Sequence, residues 1–396
     1  MEKINRESLL LHQKLGGKIS VIPKMDIETT RDLSLLYSPG VAEPCLQIAA
    51  NPDEVWKYTI KNNTVAVVSD GSAVLGLGNI GALAAIPVME GKAMLFKKFA
   101  GIDAFPICLN TQDTDEIVQT VKNIAPVFGG INLEDISAPR CFEIEARLQD
   151  IGIPVFHDDQ HGTAVVALAG LINSCKVLGK NLEDLKVVIN GSGAAGVAIA
   201  RLLRCVSNNN EACIPVKSVL MADTKGIIHR GRTDLNGIKQ EVLRYTNPYN
   251  ETGSLQDALH NADVFIGVSV GNLLTPADIR LMADNAVVFA LANPTPEIMP
   301  DDAFAGGAAI VGTGRSDFPN QINNVLGFPG IFRGALNARA KTITAHMKLA
   351  AAYAIAGCVS NPTAQQVIPS VLDERVVAAV TQAVEMAANE EPVVVW

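Results

Sequence analysis

The chain has 396 residues, 48% of them hydrophobic and only 18% charged, with a net charge of −9. That length exceeds one ordinary core and predicts two domains. The acidic balance, with no basic run, excludes a phosphate-backbone binder and so nucleic acid as a partner.

Seven scattered cysteines (Cys45, Cys108, Cys141, Cys175, Cys205, Cys213 and Cys358) show no CxxC spacing. They read as reduced thiols, neither a disulfide framework nor a zinc site. The first residues lack an apolar signal core. No apolar run reaches membrane-spanning length without a Gly, Pro or polar interruption. A soluble, cytoplasmic protein is expected, with no membrane as partner.

Residues 1 to about 60 read as helical and irregular, with turn chemistry at Ser38-Pro39-Gly40. From Thr64 onward strand and helix signals alternate, the pattern of an α/β fold with a parallel sheet. The predicted strands of the first half are Thr64–Val68, Ala93–Phe96, Phe105–Leu109 and Pro154–Phe156. A helix from about Thr163 to Leu178 serves as connector and puts the domain boundary near residue 160. The second alternation predicts strands at Lys186–Ile189, Ser218–Met221, Val264–Val268, Ala286–Ala290 and Ala309–Val311. Residues 1–160 are therefore expected to form one domain and 161–396 another. The tail from about residue 334 reads as helices, with no strand pattern until Val393-Val394-Val395. The sequence leaves open whether it packs back on the first domain.

The G-x-G-x-x-G spacing occurs twice. In Gly191-Ser192-Gly193-Ala194-Ala195-Gly196 the strand Lys186–Asn190 runs directly into the first glycine and an unbroken helical run follows, the context a dinucleotide fingerprint needs. The next strand ends at Asp223, the acid expected to bond the ribose hydroxyls. The loop from Ser207 to Glu211 accounts for its extra distance. Asp223 favours NAD over NADP because it repels a 2′-phosphate, although Lys225 and Arg230 lie close enough to keep NADP open. In Gly76-Leu77-Gly78-Asn79-Ile80-Gly81 the strand ends too early and Pro87 interrupts the following helix, so these glycines read as permitting a tight turn near a substrate.

Between an apolar strand and an apolar helix lies His157-Asp158-Asp159-Gln160-His161-Gly162-Thr163. An acidic knot in so uncharged a chain calls for a cation. With Glu134-Asp135 it gives four carboxylates in two loops of the same half. Hard oxygen donors without a thiolate suit Mg²⁺ or Mn²⁺. Zinc ranks lower, because the i, i+4 spacing of His157 and His161 shares a face only on a helix; both read as supporting hydrogen-bonding residues. Lys92, read as standing just ahead of a strand, becomes a general base if apolar walls depress its pKa. Tyr37 reads on its own as a half-buried packing residue.

Taken together, these segments resemble the malic enzyme family in its short bacterial form. The resemblance rests on Leu35-Leu-Tyr-Ser-Pro-Gly-Val-Ala-Glu-Pro, Val74-Leu-Gly-Leu-Gly-Asn-Ile-Gly, Glu90-Gly-Lys, Phe99-Ala-Gly-Ile-Asp, Ile131-Asn-Leu-Glu-Asp-Ile, Phe156-His-Asp-Asp-Gln-His-Gly-Thr-Ala, the second glycine motif, Leu291-Ala-Asn-Pro-Thr-Pro-Glu and Asn323-Asn-Val-Leu-Gly-Phe-Pro-Gly. These run in order from about residue 30 to 340. The resemblance implies an N-terminal α/β substrate and metal domain followed by a Rossmann-type dinucleotide-binding domain, oxidative decarboxylation of L-malate to pyruvate and CO₂ with reduction of NAD (or NADP), and a homodimer or higher oligomer. It sets Tyr37 on the general acid and Lys92 on the general base. Glu134, Asp135 and Asp159 fall on the divalent-metal ligands, with Asp158 beside them. Asn293, Asn323 and Asn324 fall near substrate and nicotinamide. One departure is Ala73, where larger relatives carry a malate-binding Arg. The rival readings are an oxaloacetate decarboxylase on the same scaffold and a nucleotide-sensing relative without catalysis.

Overall fold

The computed structural model describes residues 2–207 and 213–390. Its frame is two sheets. The first has four parallel strands in the order β2-β1-β3-β4: β1 Thr64–Ser69, β2 Asp103–Cys108, β3 Gly130–Leu133 and β4 Val155–His157. The second has six in the order β10-β9-β8-β5-β6-β7: β5 Lys186–Asn190, β6 Ser218–Asp223, β7 Gly226–Ile227, β8 Val264–Gly267, β9 Ala286–Ala290 and β10 Ala308–Thr313. All its pairings are parallel except β6 with β7. The central strands are apolar on both faces through their middles and buried apart from Lys186 at the start of β5, as helix-covered parallel strands must be.

Three expectations are corrected. Ala93–Phe96 is no strand; it lies in a 20-residue helix, Gly81–Ala100, that runs through Pro87. A four-residue apolar run cannot separate strand from helix, but Ala85, Met89, Ala93 and Phe96 bury one face at helical spacing. The cysteines are not all free, because Cys205 and Cys213 are joined by a disulfide across a short loop. Finally, the helix Asp158–Leu178 is long and apolar enough to cross a membrane by length and composition. It is instead the core helix of the protein, 72% buried and packed against the helices Ala194–Leu203 and Ala345–Gly357. The predicted strand at Val393-Val394-Val395 and most of the Ser207–Glu211 loop lie outside the described residues.

The C-terminal helices Phe328–Asn337 and Glu374–Asn389 pack on each other, and the first also lies against Gly81–Ala100. Phe328 and Phe332 meet Phe96 edge-on, with ring centroids 4.8 and 5.3 Å apart. Arg333 donates to Asn63 at 2.7 Å. The ring contacts on Phe96 fix the Gly81–Ala100 helix, which carries Lys92.

Candidate active site

Sheet register explains why the two acidic pairs meet. β3 and β4 are parallel neighbours with Leu133 opposite His157, so Glu134 and Asp158 follow as the next residues on adjacent strand ends, where open α/β sheets place ligands. Asp158 and Asp159 also open the helix Asp158–Leu178, whose N-terminal dipole favours negative charge. One oxygen from each of Glu134, Asp135 and Asp159 lies within 4.8 Å of the others, the spread a single hard cation spans with ligand distances of about 2.0–2.6 Å. Asp135 is held in the left-handed region at φ 54°, a conformation an Asp tolerates but seldom adopts. Its N–H donates to Asp159 Oδ2 at 2.8 Å, which ties the two loops together.

Lys92 enters from the Gly81–Ala100 helix and is buried between the acidic pairs. Its Nζ lies 2.9 Å from Glu134 Oε1 and 2.5 Å from Asp158 Oδ2, and 4.1 Å above the Phe328 ring. Asp158 Oδ2 also accepts from Asn324 Nδ2 at 2.5 Å. Asn132 donates to Glu134 at 2.8 Å. Glycine is required at 162, since a Cβ there would overlap Asp158 Oδ1. Burial opposes all these charges. It raises Glu134 to about 7, and Asp158 to about 7, against the pull of Lys92. It raises Asp159 to about 6 in the same way. Burial would lower Lys92 too, but Asp158 and Glu134 outweigh it and leave the amine above its ordinary value. The expectation of a depressed Lys92 is thus corrected: apolar walls are present, but two carboxylates touch the amine. Four carboxylates against one ammonium leave a negative excess that a divalent cation would offset.

His161 stays outside the carboxylate group, whereas His157 borders it, with Nδ1 3.7 Å from Asp159 Oδ2. His161 Nε2 bonds Glu145 at 2.9 and 3.0 Å and its Nδ1 accepts from Lys348 at 3.2 Å. His157 is wholly buried and lowered to about 4 by burial, hence neutral. Glu145 also accepts the His157 backbone N–H at 3.0 Å. The sequence reading missed Glu145, whose signal was a charged residue on the apolar face made by Cys141, Phe142, Ile144 and Leu148.

On the second sheet, Gly191 has φ 121°, and a Cβ at Gly196 would overlap the Gly191 carbonyl oxygen, so the close strand–helix approach requires both. Gly193 precedes the helix Ala194–Leu203, whose first turn includes Ala194 and Ala195 and presents free N–H groups suited to a pyrophosphate. Gly191, Ser192 and Asp223 line a cavity of about 730 Å³ with Lys225, Lys239 and Ser269. Asp223 does not stand free: Arg232 grips it at 2.8 and 3.0 Å and Lys239 at 2.5 Å. Burial would raise its carboxyl, but these partners hold it below the usual range. The side chains of the neighbours expected from sequence are engaged elsewhere, Lys225 with Asp234 and Arg230 with the Leu243 and Asn247 carbonyls, although the Lys225 backbone N–H donates to Asp223 at 2.8 Å.

The remaining residues divide. Asn324 reaches Asp158, whereas the Asn323 side chain caps its own turn by accepting the Val325 N–H. Asn293 is exposed, but its carbonyl abuts Gly76, where a Cβ would overlap it, so the first glycine motif serves close packing between the two halves. Buried Glu297, also unforeseen, accepts the Ser269 and Ala292 N–H groups at 2.8 and 3.1 Å and pins the loops beside Asn293. Arg140 lies under the Ala73 loop, but Asp70 holds it at 2.8 Å. Tyr37 joins none of these groups. It ends the helix Thr30–Leu36 with 68% of its surface exposed.

Comparison with known proteins bears on both halves. The malic enzyme N-terminal domain matches residues 16–149, and the malic enzyme NAD binding domain matches residues 160–389. A bifunctional malic/malolactic enzyme of Bacillus subtilis (strain 168) is 55% identical over 98% of this chain and 93% of its own length. An NAD-dependent malic enzyme of Geobacillus stearothermophilus is 56% identical over 97% of this chain and 79% of its own. The crystal structure of an NAD-dependent malic enzyme from Thermotoga maritima is 50% identical, with a TM-score of 0.91 over 95% of this chain and 98% of that one.

Proposed function

The chain belongs to the malic enzyme family, and we propose that it converts L-malate to pyruvate and CO₂ with reduction of NAD or NADP, using Mg²⁺ or Mn²⁺. The observation that carries this reading is the clasp of Lys92 by Glu134 and Asp158 beside the oxygens of Glu134, Asp135 and Asp159. In this reading residues 1–160 bind malate and metal and residues 161–396 bind the dinucleotide. Glu134, Asp135 and Asp159 would hold the cation, which when bound would supply an electron sink for loss of CO₂, and the dinucleotide would supply the hydride acceptor.

Lys92 takes the malate hydroxyl proton. Asp158, in hydrogen-bond contact at 2.5 Å, receives the proton that Lys92 must first shed. Asn324 keeps Asp158 turned toward the amine, and Phe328 roofs the amine against water. The family resemblance assigns the proton that quenches the carbanion to Tyr37, which stands exposed and apart from Lys92 in this chain. The backbone N–H groups at Gly191–Gly196 bind the pyrophosphate and Asp223 bonds the ribose hydroxyls. Asn293 and Asn323 bound the substrate side. We likewise infer a cytoplasmic homodimer.

The test is malate-dependent growth of NADH absorbance under Mn²⁺. Turnover with malate, lost on chelation, is expected. Turnover of oxaloacetate without any malate activity would overturn the reading.

A further inference from the structure

The helix Asp158–Leu178 begins without a cap of its own. Its N-cap residue, His157, makes no side-chain capping bond. Its third residue, Gln160, keeps both amide atoms buried with no partner among the described residues. In a capping box the third residue would reach back to the N-cap N–H. Here Glu145, from the helix Arg140–Leu148, takes that N–H instead, with Oε1 at 3.0 Å. The same carboxylate bonds His161 Nε2 at 2.9 and 3.0 Å. One buried side chain from a separate helix therefore holds residues 157 and 161, the two ends of the turn on which Asp158 and Asp159 stand.

The far side of this grip is fixed as well. Lys348, on the helix Ala345–Gly357, donates to His161 Nδ1 at 3.2 Å. A donor at Nδ1 leaves the ring hydrogen on Nε2, facing Glu145. Packing does not call for these charges. Glu145, His161 and Lys348 border a cavity of about 630 Å³ that Phe142, Ile238 and Ile343 also line. Apolar side chains would fill that space without the cost of burying ions. What the polar chain adds is direction, because a bond to the His157 N–H fixes where the next two carboxylates start.

We propose that Glu145 is a positioning residue of the metal centre, an external cap that sets the first turn of the Asp158–Leu178 helix so that Asp159 meets Glu134 and Asp135 while Asp158 meets Lys92. This role rests on the reading of Glu134, Asp135 and Asp159 as the cation's ligands. Glu145 lies outside that group, so its effect passes through the turn. With its carboxylate gone, the buried His157 N–H has no acceptor and His161 keeps only Lys348, so Asp159 loses its set place. Partners that orient metal ligands contribute ~10–100-fold in metal affinity.

The test compares Mn²⁺ affinity with stability in the full chain. The dissociation constant is read from the free Mn²⁺ signal in electron paramagnetic resonance, and the melting temperature from circular dichroism. Glu145→Ala is expected to melt earlier and to bind Mn²⁺ at least ~10-fold more weakly. Glu145→Gln also melts earlier but keeps an oxygen in place of Oε1, so its affinity stays within ~3-fold of wild type. Ile144→Val trims a buried side chain on the same helix; it lowers the melting temperature and leaves affinity unchanged. If Glu145→Ala does not fold, His161→Phe releases the other end of the turn and is expected to show the same loss of affinity. A folded Glu145→Ala at wild-type affinity, or an affinity that falls in step with melting temperature across all the variants, overturns the positioning role. Wild type that takes up no Mn²⁺ overturns the metal reading, and this role with it.

Discussion

At the ends of β3 and β4 four carboxylates gather with one lysine, which touches two of them, whereas at the end of β6 a single carboxylate is gripped by two cations of its own chain. Burial drives the first group toward protonation, with Glu134 and Asp158 near 7, while Arg232 and Lys239 hold Asp223 below its ordinary range. Both lie at carboxyl ends of parallel strands, so topology alone does not distinguish them. The difference is who supplies the counter-charge. Asp223 is neutralised by the protein, which suits the ribose contact proposed for it. The β3/β4 group is under-neutralised, as suits a site whose missing charge arrives with the metal.

The strongest way to break this contrast is at Lys92. Lys92→Ala is expected to cut malate turnover by ~10²–10⁴, the usual weight of a general base. Turnover within a few-fold of wild type would remove Lys92 from the mechanism. At Asp223 a smaller effect is expected. Asp223→Asn should raise the KM for NAD by at least ~10-fold, since a hydrogen bond to a charged group contributes about 1.5–3 kcal/mol. It should also narrow any preference over NADP, because Arg232 and Lys239 then face the ribose unpaired. An unchanged ratio of NAD to NADP KM values would make Asp223 a structural residue.

The pH dependence sharpens the contrast further. Carboxyls raised in the folded state bind more protons there than in the unfolded chain, so metal-free stability should fall as pH climbs from the usual carboxylate range through about 7. Mn²⁺ must displace those protons. Its gain in melting temperature should therefore be larger at pH 8 than at pH 6, and an equal gain at both would mean that the carboxylates are already ionised. Glu145 runs the other way. Burial would raise it, but His161 and Lys348 hold it down at about 2. Its contribution is complete above the unfolded carboxyl value and is lost as pH falls toward 2. Glu145→Gln is expected to lower the melting temperature by a few degrees at pH 7, with the gap closing in acid.

Much of this was readable before any coordinates. The fingerprint at Gly191–Gly196, the alternation of strands and the two acidic pairs carry strong local signals, and β5, β6, β8 and β9 lie at or within two residues of their predicted bounds. What was missed needed spatial information. β3 is four residues opened by a glycine, too short to show a period. Arg232 and Lys239 lie nine and sixteen residues beyond Asp223 and reach it only because the chain turns back through β7. Glu297 sits within a motif quoted for its asparagine, and nothing in the sequence marked its carboxylate as the pin of two loops. The exposed N-terminal helices were legible only as "helical and irregular", because composition does not say which surface a helix will find.

The most direct test of the contrast is the Mn²⁺ stoichiometry of the metal-free full chain by equilibrium dialysis, comparing wild type with a Glu134→Gln, Asp159→Asn double variant. One tightly bound Mn²⁺ per wild-type chain and its loss from the variant are expected. Absence of binding to wild type, or equal binding to both, would contradict the assignment of the β3/β4 carboxylates as the metal centre.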